Sequence, residues 1–350
     1  MSDNTPLMSM RNIDMVFTKS GGLLADKKIH VLKNINLDIM PGEIIALVGE
    51  SGCGKTTLGK IITGLLTPTN GEIYLEGTKV SGLFDKKIAS YSCVQFIQQD
   101  SYAALNPVRT IYDSLYAPIK THNKRWTRQQ IDDKIEELMT LIGLQPSSQF
   151  LTKYPHQLSG GQRQRILMAR AISLEPKLIV ADEPVSMIDV SLRLSLLNLM
   201  KKLNEQLGMS FVYISHDLST TRYIAHNGRV AVMYLGEIVE LGNIGDVIAT
   251  PRHPYTRALV QAVPIPDPDY AGNAELPLKS MKLGSLENRT DGCAFFDRCL
   301  YGCDKCNANV DYVDTPTAKV LCNNIDNVPS EPLFGTKQNC SPSCEENNRS

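Results

Sequence analysis

The chain has 350 residues, 42% hydrophobic and 21% charged, with 36 Lys and Arg against 37 Asp and Glu, a formal net charge of -1. That length suits two or three domains with a sizeable core, and that balance excludes a disordered or fibrous chain. Near-neutrality also excludes an overall field that would draw the molecule to nucleic acid, so no nucleic-acid partner is expected. The longest apolar runs are short blocks such as 44–48 and 178–181, far from the roughly 20 residues of a membrane helix. The opening MSDNTPLMSM has neither a basic nor an apolar stretch, so no secretory signal is read there and a cytosolic location is expected.

In chain order, 12–17 and 30–39 alternate apolar residues around a Gly-rich turn and predict an antiparallel edge region. Residues 43–48 (EIIALV) form a near-continuous apolar run before a Gly cluster, the pattern of a strand buried on both faces, and 55–66 has helical periodicity. A short strand is expected at 94–97, then a mostly helical stretch containing an amphipathic helix at 128–141 (RQQIDDKIEELMTL). From 161 the expected order is helix to 172, strand 177–181, helix 191–207, strand 210–214 and a helix starting near 218. Such alternation implies parallel strands with helical crossovers. Two short strands, 229–234 and 237–240, precede a proline-rich stretch at 251–272 that reads as a linker or extended connection, and the polar end from about 327 reads as a disordered tail.

Gly49-Glu50-Ser51-Gly52-Cys53-Gly54-Lys55-Thr56 matches G-x-x-x-x-G-K-[ST] between a buried strand and a helix, where that motif belongs. Gly49, Ser51, Gly52 and Gly54 let backbone N–H groups turn toward phosphate oxygens at a helix N-terminus; Lys55 adds charge, Thr56 a hydroxyl for Mg2+, and Thr57 follows in the same turn. A second buried strand ends in Asp182-Glu183. Carboxylates there face the crevice of a parallel sheet, so Asp182 is expected to hold Mg2+ and Glu183 to polarise the attacking water. Ser159 precedes an Arg-rich helix in Leu158-Ser159-Gly160-Gly161-Gln162 and reads as its N-cap.

LSGGQ followed by that acidic strand resembles the signature and Walker B motifs of ATP-binding cassette (ABC) ATPases over roughly residues 8–245. Taken singly, Gln99 reads as a strand-end polar residue, His216 as a loop histidine and Phe17 as a core aromatic; in the family's order they look like the Q-loop glutamine, the switch histidine and the adenine-stacking aromatic. Asp189 looks like the D-loop aspartate. The resemblance implies an α/β fold: an ABC-type P-loop ATPase domain at 1–250, with a parallel-strand core, an antiparallel β subdomain and a helical subdomain at about 100–170. It also implies ATP sandwiched between two such subunits, with Ser159, Gly160, Gly161 and Gln162 of one facing the triphosphate on Lys55 of the other. Glu183, His216 and Gln99 are then the catalytic set, and Thr56, Gln99 and Asp182 the Mg2+ ligands.

GESGCGKT, PHQLSGGQRQR, YLGEIVELG and HPYTRAL (253–259) together resemble the oligopeptide and dipeptide importer branch, with Gln98 and Ser101 where Phe and Pro are usual. That departure bears on the fit to a permease. The implied role is the ATPase subunit of a peptide importer, peripheral on the cytoplasmic face of the membrane. Its implied partners are two transmembrane permease subunits, a second identical or homologous ATPase subunit and an extracytoplasmic peptide-binding protein. The same role in a nickel or metal-chelate importer, or a non-transport cassette ATPase, stays open.

Seven of the nine cysteines lie beyond residue 290. In a reducing compartment such a group favours metal over disulfides. Cys293, Cys299, Cys306 and Cys322 of a small Cys-rich domain at 251–326 resemble the branch's C-terminal pattern, which implies a 4Fe-4S cluster, with zinc as the alternative. Cys303 adds the C-x3-C-x2-C spacing of radical enzymes, but the segment is too short for their barrel. Cys340 and Cys344, in the expected tail at 327–350, are read as free thiols.

Overall fold

The computed structural model describes residues 5–19, 27–80, 93–263, 276–289 and 292–333. The Gly-rich turn, the later part of the proline-rich stretch, most of the expected tail, Cys340 and Cys344 lie outside them.

Strands β1 (Met8–Lys19) and β2 (Lys27–Ile39) pair antiparallel, as the alternation predicts. After them come β3 (Ile44–Val48), the loop 49–54 and α1 (Lys55–Ile62). The helix stops earlier than its periodicity suggests, because Gly64 turns the chain with a positive φ of 72°. Strands β4 (Asn70–Leu75) and β5 (Thr78–Val80) then complete a four-stranded antiparallel sheet in the order β2-β1-β4-β5. The sequence pattern does not reveal these two, since they are short, half-exposed and interrupted by glycine.

Past β6 (Val94–Ile97) the helices α2 (Ser101–Ala104), α3 (Ile111–His122), α4 (Arg128–Leu141), α5 (Ser148–Leu151) and α6 (Gly160–Ile172) follow. Capping boxes start three of them: Thr110 with Asp113, Thr127 with Gln130, and Ser159 with Gln162. β7 (Leu178–Asp182), α7 (Val190–Leu207), β8 (Ser210–Ser215) and α8 (Leu218–Ile224) alternate as expected, and β9 (Arg229–Tyr234) turns into β10 (Glu237–Asn243).

The second sheet carries the site. Its order is β11-β12-β10-β9-β3-β8-β7-β6, parallel from β9 to β6, with β11 spanning Tyr312–Asp314 and β12 Ala318–Leu321. β3, β7 and β8 are buried at every residue, because both faces are covered. Side chains alternate between two cores. Ile45, Leu47, Val180 and Ile214 join Leu58, Ile61 and Ile62 of α1 and the antiparallel sheet, whereas Ala46, Val48, Ile179 and Ala181 pack with Leu196, Leu197 and Met200 of α7. Emptying such a position, as in Leu58→Ala, costs about 2–5 kcal/mol.

The expectation of an extended connection from 251 is corrected over its first part. After α9 (Ile244–Ala249), residues Pro254–Gln261 form helix α10, its N-cap His253 accepting the Tyr255 N–H on Nδ1 at 3.1 Å. Pro254 fits because the first helical position has no intrahelical partner for an N–H. The helix is buried, and the chain beyond it adds β12 to the edge of β10, so this extension continues the main sheet.

Candidate active site

Four neighbouring parallel strands end on one edge. Val48 of β3 is level with Ser215 of β8, Asp182 of β7 with Ile214 of β8, and Ala181 of β7 with Ile97 of β6. The segments leaving those ends are the phosphate loop, His216, Glu183 and Gln99, and parallel pairing therefore assembles residues scattered over more than a hundred positions.

The loop 49–54 is built for close approach. A Cβ on Gly49 would lie 2.2 Å from the Met233 carbonyl oxygen, and one on Gly54, at φ 107°, would lie 2.9 Å from the Val31 oxygen. Gly52 also turns at φ 79°, while Ser51 and Gly52 face solvent. Lys55 is buried and its Nζ donates to the carbonyl oxygens of Gly49 at 2.7 Å and Glu50 at 2.9 Å. An ammonium folded over its own loop at a helix N-terminus can exchange those carbonyls for phosphate oxygens. Thr57 lies half-buried one residue beyond Thr56 on α1.

Asp182 is buried at the end of β7, and burial pushes its carboxyl pKa up while a hydrogen bond from Thr56 and the charge of Lys55 pull it down. A hydroxyl and a partly desolvated carboxylate that already touch are a fitting donor set for Mg2+. Next to it, Glu183 takes a positive φ of 44° and its N–H donates to the Ile214 carbonyl at 3.0 Å. That turn swings the side chain off the strand. Its Oε2 accepts from Gln99 Nε2 and its Oε1 meets His216 Nδ1, both at 2.9 Å. Because an ionised carboxylate only accepts, the imidazole donates from Nδ1 in this contact. Ser186, absent from the sequence reading, braces the turn that carries this residue: its hydroxyl donates to the Glu183 backbone carbonyl at 3.0 Å.

The signature segment stands apart from this group. The Ser159 hydroxyl accepts the Gln162 N–H at 3.3 Å, and Gln162 Oε1 accepts the Ser159 N–H at 3.0 Å, so both side chains start α6. Gly160 and Gly161 allow tight packing on the start of α7 and the loop before it, since added Cβ atoms would lie 3.3 Å from the Met187 oxygen and 3.1 Å from the Leu192 side chain. Asp189 precedes α7 and caps it through its carbonyl, with its carboxylate making no cap bond. Phe17 on β1, opposite Ile29 of β2, is 40% exposed.

This geometry agrees with comparisons to known proteins. The ABC transporter family matches residues 32–186, and the oligopeptide/dipeptide transporter C-terminal region matches 239–306. The oligopeptide transport ATP-binding protein OppF of Escherichia coli (strain K12) is 42% identical over 80% of this chain and 83% of its own. The chain belongs to the ABC transporter family. The dipeptide transport ATP-binding protein DppF of Haemophilus influenzae (strain ATCC 51907 / DSM 11121 / KW20 / Rd) is 37% identical over 93% of this ABC protein and 99% of its own length. Among solved structures, the dimeric post-hydrolysis cassette MJ0796 bound to ADP and Pi superposes with a TM-score of 0.60 at 30% identity, covering 68% of this chain and 98% of that one. The fold is thus that of an ABC ATPase. No helix among the described residues is long and apolar enough to cross a membrane.

In the extension, Cys293, Cys299, Cys306 and Cys322 lie near one another. Burial pushes the Cys293 thiol up to about 12, with Cys306, Cys299 and Cys322 adding to it, and the Cys299 thiol up to about 11. Cys303 Sγ is 3.9 Å from Cys306 Sγ. The expected ligands thus share one neighbourhood, yet among the described residues no three His, Cys, Asp or Glu side chains stand in an arrangement that could hold a metal ion. The sequence reading also missed Tyr255 and Arg298, which reach the phosphate loop from beyond residue 250. The HPY triplet was the available signal, but spacing alone gives it no target.

Proposed function

We propose that this chain is the ATP-hydrolysing subunit of an importer of short peptides, acting at the cytoplasmic face of a membrane on two permease subunits fed by an extracytoplasmic peptide-binding protein. The observation that supports this cargo is the oligopeptide/dipeptide transporter C-terminal region at 239–306, together with relatives named for oligopeptide and dipeptide transport. The test is uptake into vesicles carrying the cognate permeases and binding protein. Peptide entry that needs ATP and this subunit is expected; entry of a chelated metal with no peptide entry would overturn the cargo.

The chemistry follows from the group around Glu183. Gly49, Ser51, Gly52, Gly54, Lys55, Thr56 and Thr57 cradle the triphosphate, and Phe17 stacks on its base. Mg2+ held by Thr56, Asp182 and Gln99 would draw charge from the phosphate oxygens. Glu183 orients and deprotonates the attacking water, while His216 donates to that carboxylate through Nδ1 and so fixes the geometry beside the γ-phosphate. Gln99 joins Glu183 to the helices that start with α2, so the state of the phosphate is felt there. The helix N-terminus at Ser159 to Gln162, with Asp189 beside it, completes the site on a second ATPase subunit. ATP then clamps the pair and hydrolysis releases it.

Cys293, Cys299, Cys306 and Cys322 are proposed to ligate a 4Fe-4S cluster, with zinc as the alternative. Support comes from soft ligands gathered in one place: Cys299, Cys306 and Cys322 are buried, Cys293 is half-buried, and burial first, then the neighbouring Cys306, Cys299 and Cys322, push the Cys293 thiol up.

A further inference from the structure

The acidic residue of the phosphate loop is held from outside the cassette. Arg298 Nη1 lies 2.8 Å and 3.1 Å from the two carboxylate oxygens of Glu50, and the Glu50 N–H donates to the Tyr255 hydroxyl oxygen at 2.9 Å. The carbonyl of the same residue accepts from Lys55 Nζ at 2.9 Å. One residue therefore joins the phosphate-binding ammonium to two side chains of the extension.

Both side chains are rigidly supported. Tyr255 is 1% exposed, with its ring 4.6 Å from that of Tyr234 and 5.5 Å from that of Phe295. The Arg298 side chain is 7% exposed, and its guanidinium lies 5.6 Å from the Phe295 ring centroid and 5.8 Å from that of Tyr234. Glu50 is the only acidic residue in the stretch 49–56. A free carboxylate at the mouth of a triphosphate site repels the ligand; one bonded to a buried guanidinium is neutralised and turned aside.

We propose that Tyr255 and Arg298 are positioning residues for nucleotide, a latch by which the C-terminal extension holds Glu50 and so sets the affinity of the phosphate loop for ATP. The latch presupposes the ATP site described above. It gives the extension a task in the ATPase cycle besides any metal it carries.

The experiment measures Mg2+-ATP binding to the full chain in the Glu183→Gln background, where nucleotide stays intact, and steady-state hydrolysis with Glu183 restored. Arg298→Gln is expected to raise Kd and KM about tenfold with kcat within about twofold. Arg298→Lys keeps the charge and should recover most of the affinity. Adding Glu50→Gln to Arg298→Gln removes the stranded carboxylate and should bring Kd back to within about threefold. Tyr255→Phe keeps the ring packing, loses the oxygen that the Glu50 N–H needs, and should raise Kd about threefold. Unchanged Kd in both Arg298→Gln and Tyr255→Phe overturns the latch, as does a double variant no tighter than Arg298→Gln alone. Should Arg298→Gln fail to fold, Tyr255→Phe decides alone. Failure of the parent to bind ATP would instead sink the site itself, whatever the variants do.

Discussion

Glu183 and His216 meet at 2.9 Å although they leave two different strands, and the Glu183 carboxylate is held on its other oxygen by Gln99 from a third. The group is preorganised: the carboxylate proposed as the base is fixed before any water arrives, and each of its oxygens has a neighbour that can trade its place for substrate.

Glu183→Gln keeps the shape and removes the base. ATP binding should be unchanged within about twofold, while hydrolysis falls at least about 100-fold. Size-exclusion chromatography of this variant with Mg2+-ATP should show a dimer that dissociates when nucleotide is withdrawn. Ordinary turnover would remove Glu183 from its role, and a persistent monomer would count against the shared site.

Ser159 separates folding from assembly. Aspartate caps a helix about as well as serine, so Ser159→Asp should leave unfolding free energy within about 0.5 kcal/mol of the parent. Its negative charge faces the partner's triphosphate in the proposed pair. With Glu183→Gln also present, the variant should bind ATP but stay monomeric by light scattering. A normal ATP-dependent dimer would place the signature segment elsewhere.

His253 predicts a pH response. Burial holds its imidazole neutral, with its pKa down from 6.5 to about 3. The unfolded chain takes up this proton as pH falls through 6.5 and the folded protein does not, so stability is full above 6.5 and declines below it. Between about pH 7.5 and about pH 5.5 the loss from this residue is about 1.4 kcal/mol. His253→Asn retains an N-cap and should remove that part of the slope, although it is less stable throughout. Nearby Glu240, whose pKa burial raises, acts in both proteins and cancels in the difference. Urea titrations at the two pH values compare them, and equal losses in parent and variant would dismiss the assignment.

For the thiols, anaerobically purified protein should contain about four iron and four acid-labile sulfide per chain. Cys299→Ser should reduce both sharply. One zinc per chain without iron would select the alternative ligand, and neither metal would leave the thiols unligated.

The nucleotide motif was legible because its chemistry is local. Glycines that turn the loop toward phosphate, Lys55 at a helix start and carboxylates after an unbroken apolar strand must be close in sequence to work. Doubly buried β3, β7 and β8 announce themselves for a similar reason, since burial on both faces requires apolar residues at every step. Short strands such as β5, β11 and β12 carry no such run. Their pairing depends on which edge lies free beside them.

Strand order is likewise nonlocal. Nothing near Gln99, Glu183 or His216 states that β6, β7 and β8 are neighbours ending level with one another, and only the packed sheet brings the three side chains within hydrogen-bonding reach. The same holds for Tyr255: a proline-rich stretch read as a connection folds into a buried helix because tertiary burial outweighs local composition. Its partner Glu50 lies some two hundred residues earlier. Motifs follow from chemistry along the chain, whereas their meeting follows from the two cores that position the sheet.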